Sequence, residues 1–329
     1  MSITSTGDSV LPRVSRRNAS RLVQRAREAF KTTSYGQSVT RTTASLGLLK
    51  PRRGHYYSPI PSLKDVRHDE ARIFDRSLRE LPGVDVDDAG QVALLEELSR
   101  FYPEQPFTVW PDARNRYHLD NSWFAGADGL FLHLILRSAR PRRVLEVGSG
   151  FSSLVMLDTN ERFFDNAIEL SFVEPNAERL LSRLRPGDER LARIVERRVQ
   201  DVDLSLFREL EAGDILFVDS SHVSKVGSDL NHLLFSVLPE IAPGVLVHFH
   251  DVPYPFEYPK DWVEYGFAWN EAYLLRAFLQ YNSDFRIRLW NSYVGLFHAD
   301  LLQARMPLCT TSVAFGVGGS LWIERVPGG

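Results

Sequence analysis

Cysteine is nearly missing from this 329-residue chain, with Cys309 standing alone. One thiol can form no intrachain disulfide and no cysteine-based metal cluster, so a reducing cytoplasm fits better than an oxidising compartment. No apolar run approaches the ~18 residues of a transmembrane helix, and the N-terminus lacks the apolar core of a signal peptide. An excess of one charge is missing as well, since the chain carries only −3. That near balance hides an asymmetry. Residues 1–53 hold eleven basic residues against Asp8 and Glu28, a surplus of nine, so the remainder carries −12. An acidic body is not a surface for duplex nucleic acid. What is present is ordinary for a folded protein, 43% apolar and 25% charged residues, enough for a sizeable core.

Three regions are expected along the chain. Residues 1–54 read as a basic, partly disordered arm with a short helix over 19–30 after Asn18. Its apolar residues Leu22, Val23, Ala26 and Phe30 share one face, beside arginines. Such a helix suits weak contact with a membrane surface or a partner. It equally suits packing on the acidic body, and an organellar presequence fits the composition too. Residues 55–140 read as a cap on the C-terminal edge of a sheet, with helices over 90–101 and 126–139. The second of these shows Leu130, Leu134 and Ile135 on one face. From 141 to 329, strands alternate with helices. Strands are expected at 143–147, 167–173, 193–199, 215–218, 245–249, 285–290 and 320–324. Helices are expected at 151–159, 176–184, 203–210, 226–238 and 270–281. The fold class is therefore α/β, a doubly wound, Rossmann-like and mostly parallel sheet.

The first strand breaks into Gly148-Ser149-Gly150 before a helix. Glycines there allow close approach of a ligand, and the helix offers free N–H groups. The dinucleotide pattern G-x-G-x-x-G is incomplete, because Ser153 holds the third glycine position. Ligands of open parallel sheets bind at the strands' C-terminal ends. The polar residues gather there: Glu146 and Gly148, Glu174, Asp201, Asp219 and His222, His250 and Asp251. Glu174, 24 residues past Gly150, can accept from both hydroxyls of a ribose. Asp201 can accept from an adenine amine, or simply cap a helix. Nicotinamide dinucleotides and S-adenosylmethionine both suit this layout.

The segments Val144–Gly150, Phe172–Pro175, Asp214–His222 and Gly244–Asp251, with Tyr258–Trp262 and Trp269–Tyr273, resemble the class I S-adenosylmethionine-dependent methyltransferases, and among them the methyltransferase domain 24 group. The resemblance covers roughly 120–325. It implies seven strands with the last antiparallel, and cofactor contacts from Glu146, Gly148, Ser149, Gly150, Glu174, Asp201 and Asp219. Asp219-Ser-Ser-His222 with His250-Asp251 is similar to the site of metal-dependent O-methyltransferases acting on macrolide sugars. That likeness implies Asp219, His250 and Asp251 as ligands of a divalent metal and His222 as general base. His250 departs from the acid of that family. The resulting O,N,O set suits Mn, Fe or Zn as well as Mg.

On chemical grounds, a metal would lower the pKa of a bound hydroxyl and fix it in line with the methyl sulfonium. A histidine can take the proton. His248 is expected to be a core residue, one layer behind His250. Tyr254, Phe256, Tyr258, Trp262 and Trp269 would either line an acceptor pocket or pack the cap, and Glu271 would face the mouth as an acceptor contact. The expected activity is methylation of a hydroxyl on a small-molecule or glycan acceptor. Two rivals are a nicotinamide-dependent oxidoreductase and a non-catalytic methyltransferase-like scaffold recruited through its basic arm.

Overall fold

A computed structural model describes residues 53–310 and 317–327; the helix expected over 19–30 lies outside the described residues. The chain separates into two compact units, residues 1–66 and 67–329. In the first, the Gly54 amide donates to the Ile60 carbonyl at 2.9 Å, and the His55 ring stacks on Tyr56. The sheet lies in the second.

Seven strands form one sheet: β1 (Arg143–Val147), β2 (Glu169–Val173), β3 (Ala192–Val195), β4 (Ile215–Val218), β5 (Leu246–Phe249), β6 (Phe285–Trp290) and β7 (Leu321–Arg325). Their order is β3-β2-β1-β4-β5-β7-β6. β1 to β5 run parallel, and β7 is antiparallel to both neighbours, as expected. The strands are short and apolar because helices cover both faces. All four residues of β4, Ile-Leu-Phe-Val, are at most 1% exposed, each contributing about 1.5–3 kcal/mol over leaving it in water. The strand order reverses between β1 and β4, which opens a crevice at their C-terminal ends.

The longer helices are α1 (Asp88–Leu98), α2 (Ala127–Ala139), α3 (Phe151–Phe163) and α4 (Glu271–Leu279). α1 begins where the Asp87 carboxylate accepts from the Gly90 amide at 3.0 Å. It is tied to β6 by Gln91, whose amide oxygen accepts from the Trp290 amide at 2.7 Å. α2 is buried at every residue from Ala127 to Leu136, not along one stripe. Residues 67–140 belong to the same compact unit as the sheet. Arg116, 3% exposed, pairs with Asp158 of α3 at 2.8 Å and with Asp188 at 2.5 Å, so the loop before α2 is fastened inside the domain.

Other differences have local causes. The helix expected over 226–238 starts only at Asp229, because Gly227 takes φ +73° and Ser228 caps the turn by accepting from the Asn231 amide. Val226 is consequently fully exposed, not on the apolar face. From Asp229 the segment is a turn of α-helix, then a π-helical stretch Leu233–Val237, then a 3₁₀ turn. β3 stops at Val195, and Val199–Asp201 is a 3₁₀ turn. The helix after β2 shrinks to Glu178–Leu181, with Pro186-Gly187 close behind. The connector to β7 contains helices Asn291–Phe297 and Ala299–Arg305, and Cys309 is buried.

Candidate active site

The crevice is built on a backbone contact between β1 and β4. Gly148 takes φ +87°, and a Cβ there would fall 1.7 Å from the Asp219 carbonyl oxygen. Both the dihedral and the space require glycine. Gly150, with φ −178°, has its nearest side-chain neighbour, Arg179 Nε, 3.5 Å from the position of a Cβ. No neighbouring atom bars a Cβ there. Ser153, in place of the third glycine, accepts from the Gly150 amide at 3.0 Å and donates to the Glu146 carboxylate. The serine therefore caps α3 and closes the turn by hydrogen bonding.

Glu146 is fully enclosed beneath the loop. Its oxygens take the hydroxyls of Ser152, at 2.5 Å, and Ser153, and burial pushes its carboxyl up to about 7 against those bonds. It holds the loop from below and does not reach the groove. Ser149 is also buried, but its amide points outward to the Glu174 carboxylate at 3.2 Å. The other Glu174 oxygen accepts from the Asn176 amide at 2.8 Å. Glu174 thus stands half-buried across the glycine loop. Asp201 lies further out, half exposed and engaged by Arg198 at 2.8 Å. Arg198 holds its carboxyl below the usual range.

The other half of the crevice is tighter. His222 Nε2 lies 3.5 Å from Asp219 Oδ1 and 3.7 Å from Asp251 Oδ2, while Nδ1 meets Glu271 Oε2 at 2.7 Å. Burial works against protonation of His222, but Glu271, then Asp251 and Asp219, outweigh it and hold the ring up at about 9. His222 and Asp251 are both left-handed, at φ 58° and 56°, a state that costs any residue but glycine some strain. The strain is held in place. The His222 carbonyl accepts from the amides of Asn270 and Glu271 at 3.1 and 3.3 Å. The Asp251 backbone lies against Gly319, where a Cβ would stand 3.1 Å from the Asp251 Cα.

His250 Nε2 is 3.5 Å from Asp251 Oδ1. Its ring packs on Phe124, and its buried Nδ1 has no hydrogen-bond partner among the described residues. His248 is a core residue, stacked on Phe217 with centroids 3.7 Å apart and bonded to Ser320 at 2.9 Å.

Asp219, His222, His250 and Asp251 are therefore brought together, but as histidine–carboxylate pairs. Among the described residues, no three His, Cys, Asp or Glu side chains are arranged to hold a metal ion. A coordination set does not fit the side chains in this arrangement.

The aromatic residues expected at the mouth divide. Tyr254 is fully buried, with its hydroxyl on the Leu78 carbonyl and its ring against Trp290 and Tyr293. Phe256 packs on Trp290. Tyr258 and Trp262 are 4% and 8% exposed, and the Tyr258 hydroxyl accepts from the Ala272 amide at 3.0 Å. These rings pack the core of this segment. Trp269 remains partly exposed, its ring 4.5 Å from that of His222 and stacked on Phe267. Glu271 is 1% exposed and lies behind His222, so it does not face an acceptor. Three residues escape a sequence reading: Ser152, Asn270 and Phe124. The acid–serine pairing of Glu146 with positions 152 and 153 was visible only as a helix start.

Comparison with known proteins gives a family model described as a methyltransferase domain, matching residues 145–252. An uncharacterized protein of Archaeoglobus fulgidus is 37% identical over 184 residues, covering 54% of this chain and 79% of that protein. Among solved structures, the O-methyltransferase TomG of Streptomyces achromogenes, in complex with S-adenosylmethionine, is 18% identical at a TM-score of 0.38 over 81% of this chain and 97% of its own. A Podospora anserina methyltransferase bound to S-adenosylhomocysteine is 14% identical at 0.40, over 76% and 100%.

Proposed function

Because the chain belongs to the class I S-adenosylmethionine-dependent methyltransferases, in the methyltransferase-domain 24 family, we propose that it methylates a hydroxyl of a small-molecule or glycan acceptor. The observation that carries this reading is the position of His222 Nε2, between Asp219 and Asp251 and beside the Gly148 turn. The cofactor lies across Gly148–Gly150, with its ribose hydroxyls donating to Glu174 and its adenine toward Asp201. The acceptor enters beside Trp269, whose ring face suits a sugar or another ring.

Transfer is one displacement. The acceptor oxygen forms a bond to the methyl carbon, the carbon–sulfur bond breaks, and its electron pair returns to sulfur as a neutral thioether. The hydroxyl proton passes to His222 Nε2. In the free protein the surrounding carboxylates keep a proton on this ring. The sulfonium is a positive charge brought against it and works the other way, so cofactor binding frees the base.

The test is isothermal titration of the full chain with S-adenosylmethionine and S-adenosylhomocysteine, on chelated protein and again with Mn²⁺ or Mg²⁺. Binding of both ligands in the chelated sample is expected and would justify a screen for acceptors with labelled methyl. No binding in either sample overturns the reading.

A further inference from the structure

The first turn of α4 does more than bury a carboxylate. It grips the loop after β4 at three points. The amides of Asn270 and Glu271 donate to the His222 carbonyl at 3.1 and 3.3 Å. The Asn270 side chain accepts from the Ser224 amide at 2.6 Å. The Glu271 carboxylate meets His222 Nδ1 at 2.7 Å. From these contacts we propose that Glu271 is a positioning residue. It fixes the His222 ring so that Nδ1 always carries a proton and Nε2 is the nitrogen presented to the reacting hydroxyl. The inference rests on the methyltransferase reading for its use, but not for its geometry.

An ionised carboxylate only accepts hydrogen bonds, so the nitrogen facing it must be the protonated one. The opposite nitrogen has no comparable partner. Asp219 and Asp251 stand 3.5 and 3.7 Å from Nε2, beyond a good hydrogen bond. When the ring gives up a proton it is therefore the one on Nε2, which points into the crevice. The titratable groups around the ring are Glu271 from α4, Asp219 after β4, and Asp251 and His250 after β5; Trp269 lies against the ring as well. Glu271 cannot drift away. It is 1% exposed, it begins a nine-residue helix whose N-terminus favours a carboxylate, and its neighbour Ala272 is pinned through the Tyr258 hydroxyl. Its second oxygen, Oε1, has no hydrogen-bond partner among the described residues. The side chain thus has one bond to make, and that bond is to His222.

Glu271→Gln tests the idea because it keeps the shape and reverses the bond. A glutamine amide can donate to Nδ1, which moves the neutral ring's proton to Nε2. The full chain would be labelled with ¹⁵N-histidine and followed by long-range ¹⁵N–¹H spectra from about pH 6 to 10, with His222→Gln identifying the resonances. In the wild type, Nδ1 is expected to stay protonated throughout while Nε2 alone titrates. In Glu271→Gln, Nε2 should hold the proton and Nδ1 titrate, and Glu271→Asp should restore the wild-type pattern at least in part. With an acceptor in hand, Glu271→Gln should lower kcat by about 10²–10⁴-fold with KM and cofactor affinity little changed, the range expected for a base held in the wrong tautomer.

A bare Nδ1 in the wild type overturns the proposal, whether or not the variants fold. So does a Glu271→Gln spectrum identical to the wild type. The spectra need neither cofactor nor acceptor. Failure to bind S-adenosylmethionine would therefore sink the methyltransferase reading, while the spectra would still decide on the ring.

Discussion

The two halves of the crevice are built to opposite standards. On the β4–β5 side, His222 and Glu271 are buried, His222 and Asp251 adopt strained dihedrals, and backbone bonds from α4 hold the loop. On the β2–β3 side, Glu174 and Asp201 stand at or near the surface, held by one or two local contacts each. The contrast suits the reaction proposed above. Proton removal and in-line attack tolerate little misplacement, which an over-determined half would serve. A cofactor that must enter and leave would need an open, adaptable half, whose groups complete their hydrogen bonds only when it arrives.

The comparison can be broken most severely at its rigid side. His222→Ala should leave S-adenosylmethionine affinity undiminished, or tighter at neutral pH where the charged ring is removed, and cut turnover by roughly 10²-fold or more, measured by titration calorimetry and methyl transfer. Near-normal turnover would remove His222 from the chemistry. At the joint between the halves, Gly148→Ala should destabilise the fold by about 3 kcal/mol in urea unfolding, since a methyl group meets the Asp219 carbonyl at a forbidden dihedral.

On the adaptable side the effects move from stability to affinity. Glu174→Ala should weaken S-adenosylmethionine about 10- to 100-fold, the loss of charge-assisted bonds, with little change in unfolding. Asp201→Asn should do much less, because its partner Arg198 is itself exposed. The smallest effect sharpens the link between the halves. His222 is held up at about 9 in the free protein, and a protonated ring repels a sulfonium. Affinity for S-adenosylmethionine should therefore rise as pH climbs from 7 through about 9, while that for the neutral thioether S-adenosylhomocysteine stays flat. Parallel slopes for both ligands would detach His222 from the sulfonium. The same ring contributes stability that is present below the ordinary histidine value and fades as pH rises through about 9; His222→Gln should lose that slope in urea midpoints.

The sheet was legible because short apolar runs punctuated by polar residues leave few alternatives. All seven strands lie where the runs place them, within two residues at the start of each and four at the end. The gathering of Asp219, His222, His250 and Asp251 was legible for the same reason, since strand ends of a parallel sheet converge. Partner choice was not. Glu271 and His222 are 49 residues apart in sequence, and only the packing of α4 decides that the carboxylate turns inward. Tyr254 and Trp262 illustrate the same limit: an aromatic loop can be lining or core, and burial alone separates the two. The helix expected over 226–238 is present from Asp229 and lost only its first turn, to Gly227, whose positive φ outweighs an otherwise helical spacing.

The left-handed backbone at positions 222 and 251 has a consequence for how the protein can change. Glycine tolerates that conformation freely, whereas asparagine, aspartate and histidine only adopt it more readily than other residues. A population selected only for heat resistance should therefore accumulate glycine at these two positions, trading activity for durability. Persistence of histidine and aspartate there under such selection would mean that turnover was being selected as well, so the two codons serve as a record of whether a lineage still uses the enzyme.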